Sequence, residues 1–180
     1  MKRFPGFFAA VLSLACGFAR AEVVDSASGG FTIKTTVTVK ATPDDVYHRL
    51  IQNVGDWWSS EHTYSRNSRN LSIEEKPMGC FCEKLPNGGS VRHMEVVFFT
   101  PGKALGLTGA LGPLQSIAAA GNMRFELSPV DGGTKLDVTY AVAGYLPAGM
   151  NTWAAPVDTV LKEQLTRLKN YVERGDPLPK

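Results

Sequence analysis

The side chains best suited to chemistry cluster in one stretch, which places Cys80, Cys82, Glu83, His93 and Glu95 close together. If Asn87-Gly88 turns a hairpin, Leu85 pairs with Ser90, Cys82 lies opposite His93 and Cys80 opposite Glu95. Side chains two apart share a strand face, so two thiols, an imidazole and a carboxylate would stand within reach of one another. Such a set can bind a soft or borderline metal. The plainer reading is a pair of small strand residues, because structural zinc sites use wider cysteine spacing, and no metal is expected. A direct Cys80 to Cys82 disulfide is the other alternative. It suits an oxidising compartment and requires a bulge, since two residues along an extended strand sit near the limit of bridgeable Cα separation. The opposite face carries Phe81, Leu85, Met94, Val96 and Phe98, with Glu83 opposite Arg92 as a cross-strand salt bridge. By apolar count it is the core face, and a single bulge before Phe98 would exchange the two faces.

A second group is aromatic. Trp57 and Trp58 stand in tandem with His62 and Tyr64 just beyond, amphipathic rings that suit the mouth of a cavity with one apolar and one wet end. The competing role is a staple that pins short helices to a sheet, equally apt for one of the two tryptophans. His48 reads as a surface residue. No His-Glu-x-x-His, Gly-x-Ser-x-Gly, Walker loop or dinucleotide fingerprint occurs, so no cofactor is expected.

The elements that must position these residues follow from periodicity. Phe31 to Lys40 alternates as a half-buried strand. Thr42 then caps a short helix ending near Asn53, with Pro43 at its first position and Asp44 and Asp45 facing the positive end of the dipole. A second short turn carries Gly55-Asp56-Trp57-Trp58. Six strand segments follow, Leu71 to Lys76, Cys80 to Leu85, Val91 to Phe99, Ala104 to Thr108, Met123 to Leu127 and Thr134 to Val142, separated by Pro/Gly/Asn/Asp turns that imply an antiparallel meander. From about Asn151 to Glu173, Val157, Val160, Leu161, Leu165, Leu168, Tyr171 and Val172 draw one apolar stripe at helical period. Asn151 is a candidate cap, Asp158 with Lys162 and Glu163 with Arg167 are opposite-sign pairs four apart, and Gly175 followed by Pro177 stops the helix. Two connections are unusually apolar, Gly109 to Gly121 and Gly144 to Met150. Each either packs as a small helix on the sheet or covers a cavity as a lid.

The chain has 180 residues, 43% hydrophobic and 20% charged, which suits one domain with a proper core. Residues 1–21 read as a secretory signal peptide, with basic Lys2 and Arg3, an apolar run from Phe4 to Phe18 and an Ala19-Arg20-Ala21 cleavage site. The apolar run is too short to span a membrane. Lipidation at Cys16 is the alternative, although Ser13 replaces the usual aliphatic residue. Cleavage after Ala21 removes Lys2, Arg3 and Arg20 and no acid, taking the formal +2 to −1, so no basic footprint for nucleic acid remains. The expected organisation is a lead-in at 22–30, a domain at 31–175 and a tail at 176–180.

Taken together, the order of elements resembles the SRPBCC (START-like, helix-grip) superfamily, in its polyketide cyclase/dehydrase and heat-shock-protein ATPase activator-homologue branches. The matching residues are Val39 to Val46 opening the first helix, Asp56-Trp57-Trp58, Met78 to Glu83, Thr100 to Leu105 and the helix Val157 to Glu173. The resemblance covers roughly Phe31 to Gly175. It implies an α+β helix-grip fold, a curved antiparallel sheet of about seven strands wrapped around the long C-terminal helix, and a deep apolar cavity between them. The partner so implied is a small hydrophobic molecule or lipid, held by Trp57, Trp58, His62, Tyr64, Leu111, Leu114, Tyr145, Leu161 and Leu165. An exported binding protein is the leading expectation, without stable membrane insertion once the signal is removed. The alternatives are a cyclase or dehydratase using His93, Glu95 or Glu83 as a buried acid or base, and an interaction module. An enzyme wants a polar pair inside the cavity, and a carrier almost none.

Overall fold

The structure, a computed structural model, describes residues 20–179. The expected signal sequence lies outside the described residues but for its last two positions. Eight strands form one antiparallel sheet: β1 (Arg20–Ala27), β2 (Gly30–Val39), β3 (Leu71–Ile73), β4 (Cys80–Lys84), β5 (Ser90–Thr100), β6 (Ala104–Gly109), β7 (Ala118–Val130) and β8 (Gly133–Tyr145). Their order across the sheet is β1-β2-β8-β7-β6-β5-β4-β3. From β3 to β8 each strand pairs with its successor, as short turns dictate, and β2 returns beside β8. Helices α1 (Pro43–Gln52) and α2 (Val54–Trp57) follow β2, and α3 (Ala154–Arg174) closes the chain. It packs on β1, β2, α1 and α2.

Local chemistry explains the boundaries. Thr42 caps α1 by accepting from the Asp45 amide, and Gly175 ends α3 in the left-handed region at φ 76°. Strand β8 alternates along its length, burying Thr134, Leu136, Val138, Tyr140 and Val142 against the helix layer. Across from it, Ile33, Val37 and Val39 of β2 and Leu161, Leu165 and Leu168 of α3 complete the core.

Several expectations need correction. The stretch 22–30 is no loose lead-in. Most of it forms β1, paired with β2 through a bulge between Val23 and Asp25, which raises the strand count to eight. Asn151 does not cap α3. A 3₁₀ turn, Met150–Trp153, intervenes, and the helix begins at Ala154 without a side-chain cap. Glu163 and Arg167 do not pair. The carboxylate of Glu163 reaches His62 at 3.0 Å, and Arg167 Nε donates to the Trp57 carbonyl at 2.9 Å. The Asp158 and Lys162 pair does form, at 3.6 Å. The tail folds back, where Asn170 Nδ2 donates to the Pro177 carbonyl.

The β4–β5 hairpin departs most from expectation. Its turn is one residue longer, so Lys84 and not Leu85 faces Ser90, and Cys82 faces Arg92. A bulge at His93 then restores Cys80 opposite Glu95. One inserted residue shifts the alternation by one, which carries His93 to the inner face beside Met94 and leaves Arg92 outside. A second bulge, at Val97, lies just before Phe98 and turns both residues outward, 56% and 43% exposed.

Candidate ligand-binding site

The N-terminal half of α3, the inner face of β4 and β5, and the chain on either side enclose a cavity of about 340 Å³. Trp58, Leu71 and Phe81 form one wall, Trp153, Val157, Val160 and Leu161 of the helix segment another, and Leu111 to Leu114 a third. Of the uncharged segment Gly109 to Gly121, Gly109 ends β6 and Ala118 to Gly121 open β7, and the connection left between them both turns as a small helix and covers the cavity. Gly112–Ser116 is a single 3₁₀ turn, and that turn roofs the cavity with Leu114 fully buried. Its position is fixed at the start by Tyr140, whose hydroxyl accepts from the Leu111 amide at 3.1 Å and donates to the Gly109 carbonyl at 3.4 Å. Burial pushes that phenol up to about 12, so it stays protonated and able to donate.

Two polar contacts bridge the rim. Tyr64 Oη donates to the Gly112 carbonyl at 2.9 Å, tying the segment after α2 to the roof. His62 Nε2 meets Glu163 Oε2 at 3.0 Å, tying the same segment to α3. Below the rim the segment is anchored more deeply. Gln164, 1% exposed, accepts from the Ser59 amide at 2.8 Å, and Tyr171 Oη donates to Asp56 at 2.9 Å.

One polar pair stands in this apolar setting. His93 Nε2 lies 3.0 Å from Glu83 Oε2, with side-chain exposures of 5% and 0%. The same carboxylate accepts from the amides of Tyr64 and Ser65 at 3.1 and 2.5 Å. Burial by itself would raise the Glu83 carboxyl, but the hydrogen bonds from Ser65, Tyr64 and His93 outweigh it and hold the group below its ordinary range. Burial depresses His93 more than Glu83 raises it, so the imidazole is neutral at neutral pH. The ring is packed between Phe81 and Tyr64, with centroids 5.2 and 6.0 Å away.

Of the residues expected to hold a ligand, Trp58, His62, Tyr64, Leu111, Leu114 and Leu161 line the cavity. Trp57, Leu165 and Tyr145 do not. Trp57 is 1% exposed and donates its indole N–H to the Arg49 and Leu50 carbonyls, which makes it the staple of the tandem. Leu165 is core, and Tyr145 is 73% exposed at the end of β8. The proposed polar quartet is not assembled. Cys80 and Cys82 are joined by a disulfide with Cα atoms 5.2 Å apart, Glu95 pairs on the outer face with Arg92 at 2.9 Å, and His93 alone points inward. Glu83 pairs with His93 and not with Arg92. Leu71, Trp153, Pro156, Val157 and Val160 line the cavity as well, beyond the expected set, and Trp153 extends the α3 stripe by one turn, the signal that points to it. Phe81, a core residue by alternation, is also cavity wall, between Trp58 and His93.

Comparison with known proteins agrees with this architecture. A model described as polyketide cyclase / dehydrase and lipid transport matches residues 30–173, and the chain belongs to that family. No curated protein matches the chain. Among solved structures, an uncharacterised protein from Rhizobium leguminosarum is similar at 16% identity and a TM-score of 0.61, over 87% of this chain and 99% of that one. A conserved protein of unknown function from Enterococcus faecalis shares 19% identity with a TM-score of 0.59, over 89% and 80% of the two chains. The Aha1 dimer from Colwellia psychrerythraea shares 20% with a TM-score of 0.57, over 80% and 97%. At these identities the likeness concerns the fold.

Proposed function

We propose that this protein is an exported binding protein for a small hydrophobic ligand held between the sheet and α3. The observation that carries the reading is the cavity itself, roofed by an uncharged loop and walled by tryptophan, phenylalanine and aliphatic side chains, in a chain whose family is described by lipid transport as well as cyclisation. Export is supported by the composition of residues 1–21 and by the Cys80–Cys82 disulfide, which suits an oxidising compartment. Cleavage after Ala21 would leave the pairing of Glu22 to Ala27 with β2 in place.

The test is a panel of sterols, long-chain alcohols, fatty acids and fused-ring aromatics, read by tryptophan fluorescence, melting temperature and protease protection of the roof. A ligand should quench Trp58 and protect 110–117. Trp58→Ala should weaken binding by about 1–3 kcal/mol, the worth of a large apolar contact. A panel that moves none of the three readouts would leave an interaction module as the better account. N-terminal sequencing of the exported form should give Glu22 as the first residue, and a lipidated start at Cys16 would replace a free protein with a tethered one.

A second reading, catalysis on a hydrophobic substrate in the same cavity, is favoured by one observation, the buried Glu83–His93 pair. A neutral imidazole oriented by a carboxylate can act as a general base. Turnover of a bound compound that disappears in His93→Phe would establish it, whereas unchanged recovery of every bound ligand would favour the carrier.

A further inference from the structure

Among the described residues the cavity wall contains no Lys or Arg, and its ionisable side chains are Glu61, His62, Tyr64 and His93. Behind His93, the Glu83 carboxylate already accepts from the Tyr64 and Ser65 amides. An ionised carboxylate can only accept, so the hydrogen in its contact with the ring belongs to His93 Nε2. A neutral imidazole protonated at Nε2 carries a bare lone pair at Nδ1. Among the described residues the ring makes one hydrogen bond, to Glu83, which leaves Nδ1 as the ring nitrogen free for a ligand. The bulge in β5 is what turns this ring inward, and without it Arg92 would occupy the inner position.

We infer that the ligand is an uncharged apolar molecule bearing one alcoholic, phenolic or enolic O–H, and that it is anchored by donating that hydrogen to Nδ1 of His93. Glu83 is the positioning residue that fixes the ring and its tautomer. The inference rests on the ligand-binding reading above and narrows it. Carboxylates such as fatty acids are disfavoured, because an anion beside His93 would face Glu83 through the ring and Glu61 along the wall. Among the described residues it would find no Lys or Arg in the wall to offset its loss of water. The flat walls of Trp58, Phe81 and Trp153 favour a planar or rigid body.

Three matched probes decide it: 2-naphthol, 2-methoxynaphthalene and 2-naphthoate, titrated calorimetrically into the full chain at neutral pH. The naphthol should bind about ten-fold tighter than its ether, the ordinary yield of one buried hydrogen bond, and the naphthoate more weakly than either. His93→Phe, which keeps a flat ring between Tyr64 and Phe81, should bring the naphthol down to the affinity of the ether and leave the ether nearly unchanged. Should that variant not fold, nitrogen NMR of the wild-type histidines supplies the same decision. The His93 Nδ1 resonance should move when naphthol binds and stay in place with the ether. Equal affinity for naphthol and ether, a preference for naphthoate, or an Nδ1 resonance indifferent to naphthol would overturn the inference while leaving a hydrophobic binding site intact. Failure of all three compounds to bind would overturn both.

Discussion

The two halves of α3 carry one uninterrupted apolar stripe and meet different things. In the C-terminal half, Leu165 and Leu168 are 2% and 0% exposed, and Gln164, Arg167 and Tyr171 bond to the segment around α2. In the N-terminal half, Val157 and Val160 are only half-buried, because the space opposite them is the cavity. An apolar stripe declares that something apolar must cover it, and it does not say whether the cover is protein or ligand. The tryptophan pair repeats the lesson at the scale of one peptide bond. Trp57 is wrapped by α1, while Trp58 presents its ring to the cavity and donates its N–H to the His62 carbonyl at 3.1 Å.

The largest effect should come from Leu168→Asp. A buried unpaired carboxylate costs several kcal/mol, on the order of the whole stability of a domain, so the variant should lack a cooperative melt by circular dichroism. A folded Leu168→Asp protein would break the distinction between the halves outright. Trp57→Ala comes next, with a loss of about 3–5 kcal/mol in chemical denaturation whether or not ligand is present.

Acidification should sharpen the contrast from the cavity side. Burial depresses His93, so below its ordinary value of 6.5 the unfolded chain takes up the proton first, and stability falls with pH from there down to the folded value. Glu83 is held low as well, so its contribution is present above its ordinary 4.5 and is lost as pH falls through the folded value. Each group contributes at most about 1.4 kcal/mol per pH unit. His93→Phe should flatten the upper part of a plot of unfolding free energy against pH and diminish the carboxylate part, which then rests on the amides of Tyr64 and Ser65.

Val160→Ala should cost about 1 kcal/mol in ligand affinity, the worth of one or two methyl groups, and less in stability, since the side chain already faces open space. An effect on stability above 2 kcal/mol would mean that the cavity wall is core. At the bottom of the scale, Lys162→Ala removes one side of the 3.6 Å pair with Asp158, partly exposed, and should change the melting free energy by a few tenths of a kcal/mol.

The elements were legible in the sequence wherever one residue type or one period carries the information. Thr42-Pro43-Asp44-Asp45 begins a helix because capping and dipole terms are local, and Gly175 ends one because a left-handed residue is needed there. The strand order from β3 to β8 follows from short turns. The uncharged Gly109 to Gly121 segment allowed a cover over a cavity, the family resemblance implied the cavity itself, and of the residues named for it Trp58, His62, Tyr64, Leu111, Leu114 and Leu161 lie in its wall.

What tertiary structure alone decided is the polar centre. Strand alternation has a period of two, so a turn longer by one residue and one bulge, each invisible to pattern, determine whether His93 or Arg92 faces inward. They also separate Cys82 from His93 while leaving Cys80 opposite Glu95. The bulge residue is accepted because its inner position offers the imidazole a carboxylate, and that carboxylate is held by the amides of Tyr64 and Ser65 from a segment nearly twenty residues upstream of Glu83. No local preference encodes an arrangement whose stabilising partners converge only after the sheet has curled around α3.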